Sequence, residues 1–144
     1  MADKVYPYGK YRYSVEIDGI QAGGFSEASG FDVSIEVGEY REGDMPDQTI
    51  RKFAGLKKYS NITLKKGVIA EKALYDWMIA GVTGPVQRKT ISISIHDESD
   101  AVVATWQVID AWPCKYNAPD FNATSNEAAV ETIEIAHEGL TRTK

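Results

Sequence analysis

Strict alternation of apolar and polar residues constrains this chain most. Ile91, Ile93 and Ile95 alternate with Ser92, Ser94 and His96. Side chains that repeat every second residue fall on one face of a strand, so this run reads as a half-buried β-strand. The same period returns three times. Tyr11, Tyr13, Val15 and Ile17 alternate with Arg12, Ser14 and Glu16; Phe31, Val33, Ile35 and Val37 with Asp32, Ser34 and Glu36; Ile62 and Leu64 with Thr63 and Lys65. Asp18-Gly19 and Asp97-Glu98-Ser99-Asp100 read as turns. The second joins the 91–95 strand to a return strand running from Val102 towards Trp112, and a last strand covers about Ala129 to His137.

One segment departs from this period. Ala70, Ala73, Leu74, Trp77 and Met78 recur at helical spacing, with Gly81 placed to end the helix. One helix among six or more strands predicts a mainly β fold, a β-sandwich or partly open barrel with the helix packed against it. At 144 residues, the whole chain, 1–144, is expected to be a single domain with room for a real core.

Two long connections stand out. Glu42 to Leu56 is polar and leads into Lys57 and Lys58, with Arg51 and Lys52 within it. Lys115 to Ala128 holds Pro119, Phe121 and three asparagines. Loops this long in a compact domain are functional or disordered as a rule, and the aromatics of the second favour order.

Bulk properties exclude several classes. The apolar and charged fractions, 43% and 26%, are those of a globular chain rather than a disordered one. No apolar run approaches the ~18 residues that span a membrane. Met1-Ala2-Asp3-Lys4 lacks a signal-peptide core, so synthesis and folding in a cytoplasm are expected. A net charge of −5 argues against sequence-independent DNA binding at the surface.

Catalytic and metal-binding chemistry is thin. The single cysteine, Cys114, cannot make an internal disulfide or a Cys-rich zinc site. His96 and His137 each sit near a strand end, where structural roles predominate, and no nucleophile elbow is present. Asp97, Glu98 and Asp100 lack the spaced ligands of a calcium loop. Gly23-Gly24 is not followed by the Gly-Lys-Ser/Thr of a phosphate loop. Trp77 and Trp106 fit core packing better than a ligand platform. No catalytic residue, cofactor or metal site is therefore expected. The short hydroxyl side chains opposite the isoleucines leave two readings open: a solvated outer face, or the wall of a water-filled channel.

Taken in order, several segments resemble the tail tube protein family of contractile-tailed phages and contractile injection systems. They include Tyr13-Ser14-Val15-Glu16-Ile17-Asp18-Gly19, Gly24-Phe25-Ser26-Glu27-Ala28-Ser29-Gly30 and Glu39-Tyr40-Arg41-Glu42-Gly43. Further along come Tyr59-Ser60-Asn61-Ile62-Thr63-Leu64-Lys65-Lys66-Gly67, Leu74-Tyr75-Asp76-Trp77, Ala111-Trp112-Pro113, Lys115-Tyr116 and Ala136-His137-Glu138-Gly139-Leu140. The resemblance implies six subunits to a ring with a shared β-barrel lumen, and rings stacked helically into a tube. It implies a surrounding sheath whose contraction drives the tube through a target envelope, baseplate and tube-terminating partners, and cargo of protein or DNA. The particle would be a phage tail or an injection device.

If each of six subunits lent four strands, about 24 strands would close the barrel. At roughly 4.8 Å spacing and ~40° tilt the backbone diameter is about 48 Å, narrowed by side chains to around 40 Å. Two hairpins, roughly 23–38 and 88–109, are the expected source of the bore, with Ser34, Glu36, Thr90, Ser92 and Ser94 facing the lumen. The Glu42–Leu56 loop is the expected ring-to-ring contact, with Tyr40, Arg41, Glu42, Arg51 and Lys52 as its candidate residues. A monomeric ligand-binding β-domain and a secreted ring-forming effector carrier are the alternatives.

Overall fold

The structure, a computed structural model, describes residues 6–20 and 24–144. The expectations that fall on Met1 to Lys4 and on Gly23 lie outside the described residues. Among the described residues, nine strands and one helix follow in chain order: β1 (Tyr13–Ile17), β2 (Glu27–Ser29), β3 (Val33–Tyr40), β4 (Arg51–Tyr59), β5 (Ile62–Gly67), α1 (Ala73–Thr83), β6 (Lys89–His96), β7 (Val102–Asn117), β8 (Val130–Ala136) and β9 (Gly139–Arg142). The body is one antiparallel sheet in the order β1-β6-β7-β8-β5-β2, with β9 also on β7. The β3–β4 pair forms a separate two-stranded sheet.

The long strand β7 organises the body. Its first part pairs with β6 and β9, and its last residues, Trp112 to Asn117, pair with β8. Two bulges separate these tasks. Between Val108 and Ala111 the strand carries one residue more than β6 opposite, and Asp110 adopts φ 52° there. A second shift lies between Pro113 and Lys115. Each bulge reverses the alternation, so Ala104 and Val108 face the core before the first, and Ala111 and Pro113 after it. Pro113 has no N–H for a ladder, and the adjacent bulge accommodates it.

The core gathers Ile17, Ile91 and Val108 from one part of the sheet and Ile62, Leu64, Ile133 and Ile135 from the other. Leu74 and Trp77 of α1 close it. The Trp77 indole N–H donates to the Gln87 carbonyl at 2.7 Å, which satisfies its polar end. The helix starts later and ends later than the spacing predicts. Ala70 precedes it, and Gly81 lies inside it, ahead of the C-cap Gly84. Gly81 serves close packing instead, since a Cβ there would stand 3.0 Å from Val86 Cγ1.

Inward pairs across β5 and β8 run Ile62–Ile135, Leu64–Ile133 and then Lys66–Glu131. The last pair is buried, with Lys66 Nζ 3.4 Å from Glu131 Oε1. The Tyr116 hydroxyl donates to Glu131 Oε2 at 2.5 Å, and Tyr75 of α1 meets the Tyr116 ring edge-on at 5.4 Å. One charged pair thus ties together β5, β7, β8 and α1. Removing either partner of such a pair leaves a charge in a dry place, which costs about 3–5 kcal/mol. Glu131→Ala is expected to lower the urea midpoint of unfolding by a corresponding amount.

The hydrogen bond to Glu131, with burial second, pushes the Tyr116 phenol up to about 12 from 10.0. The folded state therefore holds this proton more tightly than the unfolded chain. The contribution is complete below pH 10 and falls as pH rises through about 12. Thermal melts across that window should fall less steeply with pH in Tyr116→Phe than in the parent chain.

Candidate functional site

Two surfaces emerge from this fold: the outer face of the β1-β6-β7-β9 region and the separate hairpin. On the first, cross-strand register aligns Ser14 and Glu16 of β1, Ser94 and Ser92 of β6, Thr105 and Gln107 of β7, and Thr141 of β9. Ser92 and Ser94 thus share a face of short polar side chains, opposite Ile91, Ile93 and Ile95. Ser94 Oγ and Thr105 Oγ1 lie 3.0 Å apart. Thr90 continues β6 and its carbonyl accepts from the Asp18 N–H at 3.1 Å. Only the β6 members of this row stand out in the sequence, because register across strands is not written in any one strand.

At the end of this face the β6–β7 turn is latched to β1. Ser14 Oγ stands 2.9 Å from His96 Nε2, while His96 Nδ1 stands 3.4 Å from Asp100 Oδ1. Asp100 accepts more closely from Arg12, at 3.0 Å. Both Asp100 oxygens near Nδ1, carboxylate and carbonyl, can only accept, so Nδ1 carries a proton and faces Asp100. This serine–histidine–carboxylate order was not expected from the sequence. The carboxylate is committed chiefly to Arg12, and the cluster binds the edge strand to a hairpin tip.

The hairpin corrects two expectations. Among the described residues no hairpin forms within 24–38: β2 pairs with β5, and β3 pairs with β4. Nor is Glu42–Leu56 a continuous loop, because Arg51 onward belongs to β4. Only residues 41–50 connect the strands. Tyr40 and Arg51 are directly opposite across the pair, as are Glu39 and Lys52. The physical reason is exposure. Both faces of β4 are open along nearly its whole length, so its sequence has no buried face to impose alternation. The Lys115–Ala128 connection is shortened in the same way, since Lys115 to Asn117 complete β7.

Ser34 and Glu36 lie on β3, and Glu36 forms an ion pair with Lys58 across the hairpin. That carboxylate raises the Lys58 ammonium from its usual value. The connection is held by its own side chains: Tyr40 OH donates to Glu42 Oε1 at 2.8 Å, and Arg41 Nη2 to the Asp47 carbonyl at 2.9 Å. Within one chain, Ser34 and Glu36 are in a different sheet from Thr90, Ser92 and Ser94. The structure therefore does not bring the five lumen candidates into one continuous wall of a single subunit.

The hairpin's base is fixed firmly. The Ser60 hydroxyl donates to the Gly30 carbonyl at 2.8 Å, the Asp32 N–H reaches the same carbonyl at 2.9 Å, and His137 Nε2 donates to the Ser60 carbonyl at 3.0 Å. Gly30 adopts φ 90°, and a Cβ there would come 2.2 Å from the Asn61 carbonyl oxygen. Gly30→Ala should lower unfolding free energy by about 1–3 kcal/mol through backbone strain, measured by urea titration.

Other chemistry is sparse. An apolar cavity of about 310 Å³ opens between Tyr13, Phe31, Ile93, Ile95 and Trp106, with Lys10 at its edge. The opposite use of Trp106 is structural, for Arg142 lies over its ring at 5.4 Å. Burial, with Glu134 nearby, pushes the Cys114 thiol up, away from the thiolate a nucleophile needs. Among the described residues no cluster of three His, Cys, Asp or Glu side chains is arranged to hold a metal, and no helix is long and apolar enough to cross a membrane.

Residues 9–141 match the family described as T4-like virus tail tube protein gp19. The chain belongs to this tail tube family. A search of curated proteins finds no match. Among solved structures, a chain of the anti-feeding prophage tube-terminating cap is 35% identical with a TM-score of 0.89, over 99% of this chain and 95% of that one. A chain of the PVC sheath–tube complex, from an extracellular contractile injection system in the extended state, is 32% identical with a TM-score of 0.87, over 96% and 92%. Hcp1 from Flavobacterium johnsoniae shares the fold at 16% identity and a TM-score of 0.57, over 92% and 95%. The family expectation from the sequence is thus borne out: the chain is a tail tube protein of the contractile-system type.

Proposed function

We propose that six copies close into a ring, that rings stack into the inner tube of a contractile tail or injection device, and that the role is structural rather than catalytic. The unpartnered strands carry this proposal. Among the described strands, edge strand β1 pairs with β6 alone and β3 and β4 pair only with one another, so each subunit offers open ladders that a neighbour can complete. Head-to-tail contacts close into rings when the rotation closes, and repeated stacking extends them. The tube-family membership supplies the setting.

In this arrangement the hydroxyl-bearing face, with Thr90, Ser92 and Ser94, and the Ser34/Glu36 face of the hairpin line the bore. Each comes from a different sheet, and a neighbouring subunit joins them. The 41–50 connection, with Tyr40, Arg41, Glu42, Arg51 and Lys52 around it, meets the next ring. The outer surface faces a sheath, and the tube ends meet baseplate and terminating proteins. Cargo, protein or DNA, passes through the lumen.

Purified protein at high concentration should show six-fold rings or tubes by electron microscopy. A monodisperse monomer by light scattering at the same concentration would favour an isolated ligand-binding domain instead. Ser94→Cys should react with a bulky polymer maleimide in dissociated subunits and be protected in long tubes. Equal reactivity in both states places this face outside the bore.

A further inference from the structure

The core is open at one end. Across β1, β6 and β7, Val15, Ile93 and Trp106 lie opposite one another, and so do Tyr13, Ile95 and Ala104. These inward rows continue the row of Ile17, Ile91 and Val108. That last row is buried, whereas Tyr13, Ile93, Ile95 and Trp106 are only half-buried. Together with Ala28 and Phe31 they line the cavity of about 310 Å³, and Lys10 supplies the charge at its edge. The Tyr13 hydroxyl is already committed, donating to the Phe25 carbonyl at 2.9 Å. The cavity therefore suits an apolar group with a negative charge beside it.

The chain carries such a group in the connection from β7 to β8. Phe121 is 88% exposed, the most exposed large apolar side chain among the described residues. Asp120 precedes it directly. The segment just beyond is set by its own bonds. Asn122 Oδ1 accepts from the Thr124 N–H at 3.1 Å and from the Thr124 hydroxyl at 2.9 Å, and the Ser125 N–H donates to the Asn122 carbonyl at 3.1 Å. Pro119 restricts the backbone on the other side. An aromatic ring buries about 150–250 Å² when it is covered. A ring held out in advance loses less freedom on docking than one on a loose segment.

We infer that Phe121 of one copy seats in this cavity of a second copy, with Asp120 facing Lys10 at the rim. This rests on the ring-and-tube proposal above. Two observations make a second copy the occupant. Asn117, where β7 ends, lies 11 residues beyond Trp106, roughly 36 Å along an extended strand. Phe121 and the cavity therefore lie at different ends of the subunit, and a chain does not fill its own cavity. The charges also match: among the described residues neither Lys10 nor Asp120 has an ion-pair partner in its own chain. Because the two patches differ, the contact is head-to-tail, the kind that closes into a ring or extends into a filament. A seated ring also plugs the open end of the neighbour's core.

Disulfide trapping in the assembled protein tests this contact, in a Cys114→Ala background. One batch carries Lys10→Cys and the other Asp120→Cys. Mixed before assembly and then oxidised, they should give covalent dimers of one kind with the other, at least tenfold above either batch alone. A chain with both changes should give a ladder of linked multimers. Phe121→Ala should raise the concentration needed for assembly at least tenfold by light scattering, and Phe121→Leu, which keeps an apolar knob, should recover most of that loss. The urea midpoint of the dissociated subunit should be unchanged in Phe121→Ala, since this ring is exposed in the single chain. Assemblies in which the mixed batches stay unlinked, in which the doubly changed chain links only to itself, or in which Phe121→Ala assembles like the parent, overturn the contact and leave the ring-and-tube reading standing. Parent protein that never assembles overturns that reading itself, and the contact falls with it.

Discussion

Two strands that, among the described strands, pair only with each other cannot shelter what β3 and β4 carry. Val33, Ile35, Val37, Phe53 and Leu56 all remain more than half exposed in the single chain. A free monomer with such a surface would lose solubility or recruit a partner. The same hairpin is fixed at its base through Gly30, Ser60 and His137, which is not the behaviour of a loose excursion. The chain is thus a rigid body presenting an incomplete sheet. Its stability belongs to the body, and its purpose belongs to whatever completes the hairpin.

The body earns its rigidity from β7. A strand that serves β6 and β9 along its first part and β8 along its last part must bend between them, and the Asp110 bulge provides the bend. Reversing the alternation there keeps Val108 and Ala111 both in the core. The buried Lys66–Glu131 pair, capped by Tyr116, then fixes the register of β8 against β5 after the long connection from Asn117. Buried charges are poor sources of net stability, yet they strongly penalise a slipped register, in which they would meet isoleucines.

Much of this was legible in the sequence, and the gaps have physical causes. The Ile91-Ser92-Ile93-Ser94-Ile95 strand, its acidic turn and the return strand could be read directly, because one face is buried. The helix could be read from Leu74 and Trp77, though not its end, because Gly81 serves packing rather than termination. Strand β4 was invisible as a strand. With nothing covering it inside the chain, Arg51-Lys52-Phe53-Ala54-Gly55-Leu56-Lys57-Lys58 shows no alternation, and the bulge disturbs what remains. Lys66 and Glu131 were hidden for the opposite reason: a charged residue on an inward row looks like a surface residue until its partner's register is known. The polar face was half legible. Ser92 and Ser94 stand out in β6, while Ser14, Thr105 and Thr141 join them only through pairing. The tail tube family was readable from ordered short segments over most of the chain, since those segments mark turns and packing positions that the fold needs.

Near-atomic cryo-electron microscopy of the assembled protein tests the central claim most directly. Rings of six should appear with both edges of the β3–β4 hairpin hydrogen-bonded to neighbouring subunits and with Val33, Ile35 and Val37 buried against one of them. Assemblies in which the hairpin stands free in solvent, or a protein that stays monomeric at every concentration, would contradict it.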